Sequence, residues 1–194
     1  MNLTRREFLN LIVGGSIVVA LSGSVPTILP GRDVVRPPGA ITEDAFNSFC
    51  IRCGKCVAAC PTHALVFADI FDGWHKVGTP KVDALKGPCE AVKGRCEGNL
   101  RCVSQCPTSA LRNVKTEDVK IGTALIDRTR CLAWLDKSCL VCFEVCPIFG
   151  AVTLTEDGKP ILNAGICIGC GRCVYACPAD PKALALTPDG ERRI

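Results

Sequence analysis

The 194-residue sequence is poor in aromatic residues and in the side chains that usually carry enzyme chemistry. Only 5% of its residues are aromatic, and it has two histidines and one methionine. Neither His63 nor His75 lies in a pattern typical of a metal ligand or a catalytic base. The sequence also has no paired carboxylates, no nucleophile–base set and no phosphate-binding loop. It therefore predicts a protein without a small-molecule substrate of its own, and not an enzyme.

Charge gives no support for nucleic-acid binding. The net charge is +4 and 22% of residues are charged, without a long basic run or interleaved aromatic residues. Beyond the amino terminus, no stretch approaches the ~18 apolar residues of a membrane-spanning helix.

The amino terminus carries an export pattern. Arg5 and Arg6 stand in TRREFLN (residues 4–10) and are followed by the weakly hydrophobic stretch LIVGGSIVVALSG. This resembles a twin-arginine signal, so we predict a signal or uncleaved anchor over residues 1–29, and a Pro/Gly tether over residues 30–41. That route exports folded proteins from a reducing cytoplasm, which disfavours disulfides and favours a cofactor inserted before export. The expected location is the periplasm or the extracytoplasmic face of the membrane.

Cysteine is the abundant chemistry-bearing residue, with 16 copies. The phrase Cys-Pro followed by a short loop occurs four times, and three further cysteines precede each copy. The four groups are Cys50, Cys53, Cys56 and Cys60; Cys89, Cys96, Cys102 and Cys106; Cys131, Cys139, Cys142 and Cys146; and Cys167, Cys170, Cys173 and Cys177. Together they use every cysteine, which leaves none for a disulfide or a redox thiol.

The first and last groups have the spacing C-x2-C-x2-C-x3-C-P of bacterial ferredoxins. Gly54 and Gly171 occupy the same place in the two loops and let the backbone curl around a cubane. The chain then turns helical, and the fourth cysteine lies one turn on, directed to a different centre. Four [4Fe-4S] clusters are predicted, against structural zinc or a cystine-stapled binding module as the alternatives.

The two middle groups are more widely spaced. Their successive gaps are longest after Cys89 and Cys131, although both groups still end in C-x3-C-P. The turn residues Gly87 and Pro88 before Cys89 suit a ligand carried on a loop.

Four other residues near the cysteines also have predicted roles. Trp74 and Trp134 lie in loops between cysteines and are expected to cover clusters as apolar lids. Lys55 and Arg172, beside Cys56 and Cys173, are either solvated charges or contacts for an acidic partner.

The predicted fold is α+β, with tandem, nested ferredoxin-like units of short strands and short helices. Strands are expected over residues 64–67, 123–127 and 151–162, the last with a hairpin turn at Asp157-Gly158. A helix should begin after Thr42, with Phe46 and Phe49 on one face. Because so few large side chains are available, removal of the iron should unfold the chain.

These motifs, with the phrase RPPGA (residues 36–40) and the seven-residue gap after Cys131, resemble the NapG/MauM type of periplasmic ferredoxin over essentially the whole chain. The resemblance implies an electron-transfer subunit. Its partners would be a membrane-bound, NapH-type quinol-oxidising protein and a periplasmic reductase or c-type cytochrome. The wide second group and the short carboxy-terminal segment depart from the family pattern. The iron–sulfur beta subunit of a molybdopterin oxidoreductase is the runner-up.

The matching spacing of the first and last groups favours one ferredoxin unit inserted into another, as in the four-cluster subunits that the chain resembles, over neighbouring groups paired in sequence. Nesting divides the chain into one lobe of residues 42–80 plus 151–194 and a second lobe of residues 81–150. The predicted ligand sets are Cys50/Cys53/Cys56/Cys177, Cys167/Cys170/Cys173/Cys60, Cys89/Cys96/Cys102/Cys146 and Cys131/Cys139/Cys142/Cys106.

Overall fold

The computed structural model describes residues 31–194. The predicted export signal, with Arg5 and Arg6, lies outside these residues. Within the described part of the chain, no helix is long and apolar enough to cross a membrane.

The first helix of the described segment, α1 (Glu43–Phe49), begins where the sequence predicts it. Glu43 and Asp44 occupy its first turn, where they complement the positive end of the helix dipole. The Thr42 side chain makes no capping hydrogen bond. Phe46 is fully buried and Phe49 is 53% exposed, so only Phe46 contributes to the core.

Four very short helices carry the cysteine groups: α2 (Lys55–Ala58), α3 (Arg101–Ser104), α4 (Val141–Glu144) and α5 (Arg172–Ala176). In each, the second residue is the third cysteine of a group, and the fourth cysteine comes just after the helix. Gly54 and Gly171 precede α2 and α5 with φ of 73° and 72°, a conformation that favours glycine. The predicted helical turn between the third and fourth cysteines is confirmed.

Among residues 31–194, six strands form three two-stranded antiparallel sheets. β1 (Leu65–Phe67) pairs with β2 (Pro80–Val82), and β4 (Val152–Leu154) pairs with β5 (Pro160–Leu162). β3 (Thr123–Ile126) pairs with the distant β6 (Leu184–Thr187). The predicted strands and the hairpin are confirmed, whereas β2 and β6 were not predicted.

The chain forms two lobes that follow each other in sequence. The amino-terminal lobe has a core drawn from residues 35–121, and the core of the carboxy-terminal lobe comes from residues 124–184 together with Ala84. In both lobes a segment before the first cysteine group pairs with one after the second: Ala40 bridges Leu111, and β3 pairs with β6. The predicted nested lobes are therefore wrong, because each lobe closes its own strand pair around two consecutive groups.

The predicted tether over residues 30–41 is also wrong where the structure describes it. Residues 34–41 are buried, and Arg36 is 1% exposed. The Arg36 guanidinium donates to both carboxylate oxygens of Glu43, to the Thr79 hydroxyl and to the Pro80 carbonyl. Proline and glycine here fix a packed, extended segment rather than a free linker.

Candidate metal centres

Four small cavities lie inside the lobes, and each is walled by four cysteines. Each site is numbered after the cysteine group, first to fourth along the chain, that supplies three of its four cysteines. Site I has Cys50, Cys53, Cys56 and Cys106; site II has Cys60, Cys89, Cys96 and Cys102. Site III has Cys131, Cys139, Cys142 and Cys177; site IV has Cys146, Cys167, Cys170 and Cys173. All sixteen predicted residues line these four cavities.

The fourth cysteine of each group does leave its own group, as predicted, but the predicted nested partners are wrong. Cys60 lies with the second group and Cys106 with the first, while Cys146 lies with the fourth and Cys177 with the third. The reason is topological. The helices α2 and α3 pack against each other, as do α4 and α5, so each helix delivers its last cysteine to the adjacent group.

The donor set fits a group larger than a single metal ion. All sixteen thiols are free, and among residues 31–194 no three side chains of ligand type come close enough to hold one ion. Sulfurs bound to one zinc ion lie about 2.3 Å from it, which requires such a close group. Four cysteines that surround one apolar cavity without converging on a single point instead suit the ligation of a four-iron cubane.

The cavities are lined mainly by apolar groups, and burial there changes the pKa of cysteine thiols. Burial raises the pKa of Cys56 to about 11 and that of Cys89 to about 12, and the neighbouring cysteines add to both shifts. At Cys106 burial also opposes ionisation, but the backbone amides of Leu111 and Thr108 outweigh it and lower the pKa. The thiols of Cys56 and Cys89 are therefore protonated without metal, and ligation must displace their protons.

Sites II and IV meet at the contact between the lobes. The Cys89 amide donates a hydrogen bond to the Cys170 carbonyl at 2.7 Å. A Cβ added at Gly171 would lie 2.6 Å from the Cβ of Ala84, so the backbones approach closely there. Two cysteine ligand loops from different lobes thus share one peptide hydrogen bond.

Arg172 belongs to the same contact. It is half-buried, donates to the Lys93 carbonyl at 3.0 Å and lies 3.9 Å from the Glu90 carboxylate. The prediction of a solvated or partner-docking charge is wrong for Arg172, because the side chain links the two lobes. Lys55 is exposed.

The two tryptophans differ in position. The half-buried Trp134 lines none of the four cavities itself, but it donates from Nε1 to the carbonyl of Pro160, a residue that lines site III. Trp74 is 61% exposed and lines none of the four cavities, so its predicted role as a cluster lid is wrong.

Sequence reasoning also missed cavity walls that come from outside the cysteine groups. Pro38 and Val82 line site II, and Phe46 and Pro80 line site I. The apolar pattern of the sequence around these residues is too short to predict which cavity they line. Only pairing between distant segments brings them there.

The paired cysteine groups, the Cys-Pro helices and the small mixed helix–strand lobes define a ferredoxin-type iron–sulfur protein. Two family models match: a 4Fe-4S dicluster domain over residues 49–110 and a 4Fe-4S binding domain over residues 158–179. The first spans the two cysteine groups that form sites I and II. Both matches favour iron–sulfur ligation over a zinc or cystine staple.

Relatives match across almost the entire chain. The ferredoxin-type protein NapG of Escherichia coli is 37% identical, covering 95% of this chain and 85% of its own length. The methylamine utilization ferredoxin-type protein MauM of Methylobacillus flagellatus is also 37% identical, over 96% and 80% of the two chains. NapG of Haemophilus influenzae is 30% identical over 97% and 73%. The chain belongs to this family of NapG and MauM ferredoxin-type proteins, as the sequence motifs predicted, and the family indicates an iron–sulfur electron-transfer role.

Proposed function

We propose that the chain is an electron relay whose sixteen cysteines hold four [4Fe-4S] clusters in the order I–II–IV–III. The observation that carries the proposal is the row of four cysteine-lined cavities, in which each neighbouring pair shares a helix or a peptide hydrogen bond.

Inside each lobe the helices join two sites. Helix α2 carries Cys56 of site I and ends beside Cys60 of site II; α3 returns from Cys102 of site II to Cys106 of site I. Cysteines four residues apart on a helix are separated by about 6 Å of rise. Helices α4 and α5 link sites III and IV in the same way.

Between the lobes the link is the Cys89–Cys170 hydrogen bond. It joins backbone atoms of two proposed ligand residues and so fixes the spacing between sites II and IV. The order I–II–IV–III leaves sites I and III as the two ends, where electrons enter and leave.

The bound clusters would supply one-electron transfer. The chain's own contribution is to hold thiolates around each cavity, to exclude water with apolar walls such as Leu65 and Leu184, and to fix the spacing between sites. We propose no substrate-binding role for any residue. The protein would therefore transfer electrons without catalysing a reaction of its own.

The proposed partners follow from family membership. A membrane-bound, NapH-type quinol-oxidising protein would exchange electrons with one end, and a periplasmic reductase or c-type cytochrome with the other. We propose that the chain reaches the periplasm folded, by the twin-arginine route. Relatives with ferredoxin-type names favour this over the beta subunit of a molybdopterin oxidoreductase.

Metal content tests the cluster number. Anaerobically reconstituted protein should contain about 16 iron and about 16 sulfide per chain. Saturation at about 12 iron or fewer would show that at least one site is incomplete. The candidates would be the sites that contain Cys89 and Cys131, because these cysteines stand in the least regular loops.

Magnetic coupling tests the order of the relay. In fully reduced protein each cluster should couple to its neighbours in the electron paramagnetic resonance spectrum. Loss of site II through Cys60→Ala with Cys96→Ala should leave site I isolated while sites III and IV stay coupled. Coupling between site I and the carboxy-terminal lobe in that variant would contradict the order.

Export has its own test. Replacing Arg5 and Arg6 by lysine should leave cluster-loaded protein in the cytoplasm, since the twin-arginine pathway recognises the arginine pair. If the variant still reaches the periplasm as the parent does, the hypothesis of a twin-arginine signal is refuted.

A further inference from the structure

Beside site I, one short segment exposes several large apolar side chains. Ile70, Phe71 and Trp74 are 62%, 68% and 61% exposed, and Phe67 and Val77 flank them with 50% and 39% exposure. We call these five residues the apolar platform. Exposed apolar groups concentrated in this way typically mark a contact with a membrane or another protein.

The platform is a built structure. It is formed by two 3-10 turns, Ile70–Asp72 and Trp74–Lys76, and the Asp69 and Asp72 side chains cap the first turn reciprocally. Beneath it, the buried Asp72 pairs with Lys81, and Lys76 Nζ donates to the Arg32 carbonyl at 3.0 Å. Buried polar contacts thus hold the turns in place while their apolar side chains remain outside.

The amino-terminal segment joins the folded body at this platform. A Cβ on Gly31 would collide with the Asp72 carbonyl oxygen, and the Arg32 amide donates to the Phe71 carbonyl at 3.2 Å. The Arg32 guanidinium lies 5.9 Å from the centroid of the Phe71 ring. The 30 residues that precede Gly31 include the apolar stretch from Leu11 to Leu29, so the most apolar part of the sequence leads directly to the platform.

The platform also adjoins site I. A Cβ on Gly54 would lie 2.9 Å from the Phe67 ring, and Arg52 donates to the Val77 and His75 carbonyls. Cys53, between Arg52 and Gly54, is the exposed cysteine of site I. Whatever covers the platform therefore lies next to the first end of the relay.

We propose that the apolar platform lies against a lipid bilayer, with Phe71 and Trp74 inserted at the interface between headgroups and acyl chains. Tryptophan and phenylalanine suit this depth, and the exposed Arg32 and Arg52 beside the platform complement anionic phosphates. A bilayer is favoured over a protein partner because Gly31, which contacts Asp72 beneath the platform, follows the apolar stretch in the sequence. The consequence that site I is the membrane end of the relay rests on the proposed function, whereas the lipid contact does not.

Lipid photocrosslinking tests the proposal. The cluster-loaded full chain, including residues 1–30, is incorporated into vesicles of phosphatidylethanolamine and phosphatidylglycerol doped with a diazirine-bearing phospholipid. Mass spectrometry should find lipid adducts on residues 67–77. Phe149, fully exposed in the carboxy-terminal lobe, is the internal control and should remain unlabelled.

A variant pair checks that the side chains cause the labelling. Phe71→Ser with Trp74→Ser should lower adduct yield on residues 67–77 about tenfold, because the apolar area that enters the bilayer is lost. Phe149→Ser should change nothing. Iron content of all variants is measured alongside, so failure of the relay and failure of lipid contact remain distinguishable.

Two results would overturn the proposal. One is labelling confined to residues 1–30, which would place the platform away from lipid. The other is crosslinking of residues 67–77 to a protein in native membranes without any adduct in pure vesicles, which would assign the platform to a membrane-protein partner.

Discussion

Arg36→Met should greatly destabilise the amino-terminal lobe. The guanidinium of Arg36 is buried, forms a bidentate pair with Glu43 and donates to Thr79 and Pro80. It also lies 4.7 Å from the centroid of the Phe46 ring, and Phe46 and Pro80 both wall site I. Methionine keeps most of the apolar stem but removes every donor.

Removal of one partner from a buried ion pair costs about 3–5 kcal/mol. Glu43 keeps part of its compensation, because its side chain is 33% exposed and Arg193 Nη2 lies 3.4 Å from its carboxylate. We therefore expect the lower end, about 3 kcal/mol, which is about 100-fold in an opening equilibrium.

The assay is the rate of anaerobic bleaching of the iron–sulfur absorbance in a fixed concentration of guanidinium with an iron chelator. If release requires opening of the lobe, Arg36→Met should bleach about 100-fold faster than the parent. The matched control is Arg95→Met, which breaks the Arg95–Glu90 pair; because the Arg95 side chain is 57% exposed and Glu90 keeps Arg172 nearby, this change should cost at most about 1 kcal/mol. Equal rates for the two variants would refute the structural role of Arg36.

Two further changes probe the lobe contact and the core. Gly171→Ala should bleach about tenfold faster than Gly158→Ala: the two glycines share φ of 72° and 73°, but only at Gly171 does a new Cβ meet a neighbour, Ala84, at 2.6 Å. Similar rates would show that the close approach does not matter. Complete removal of iron should abolish the far-ultraviolet circular dichroism of the fold, because the cysteines form much of both cores. A cooperative thermal transition in the iron-free chain would contradict this.

Local features of the sites could be predicted from sequence. The spacing of Cys50, Cys53, Cys56 and Cys60 fixes a glycine-containing loop and one helical turn, and a helical turn can only send its last cysteine away from the loop. The hairpin at Asp157-Gly158 is equally local. These predictions depend on interactions within a few residues.

The choice of partner group could not be predicted in this way. Cys60 reaches Cys89 rather than Cys170 because Ala40 bridges Leu111 and because α2 packs on α3, contacts between segments far apart in sequence. Likewise RPPGA has the composition of a linker, and its burial depends on Glu43 and Thr79 as partners for Arg36. Composition alone does not show that a charged residue will find such partners.

Paired cysteine substitutions test the arrangement of the sites most directly. Cys60→Ala with Cys96→Ala removes two ligands from site II alone, so reconstituted protein should retain about 12 iron per chain. Cys60→Ala with Cys170→Ala damages sites II and IV and should retain about 8. The reverse outcome, about 8 iron for the first pair and about 12 for the second, would contradict the sequential pairing and restore the nested one.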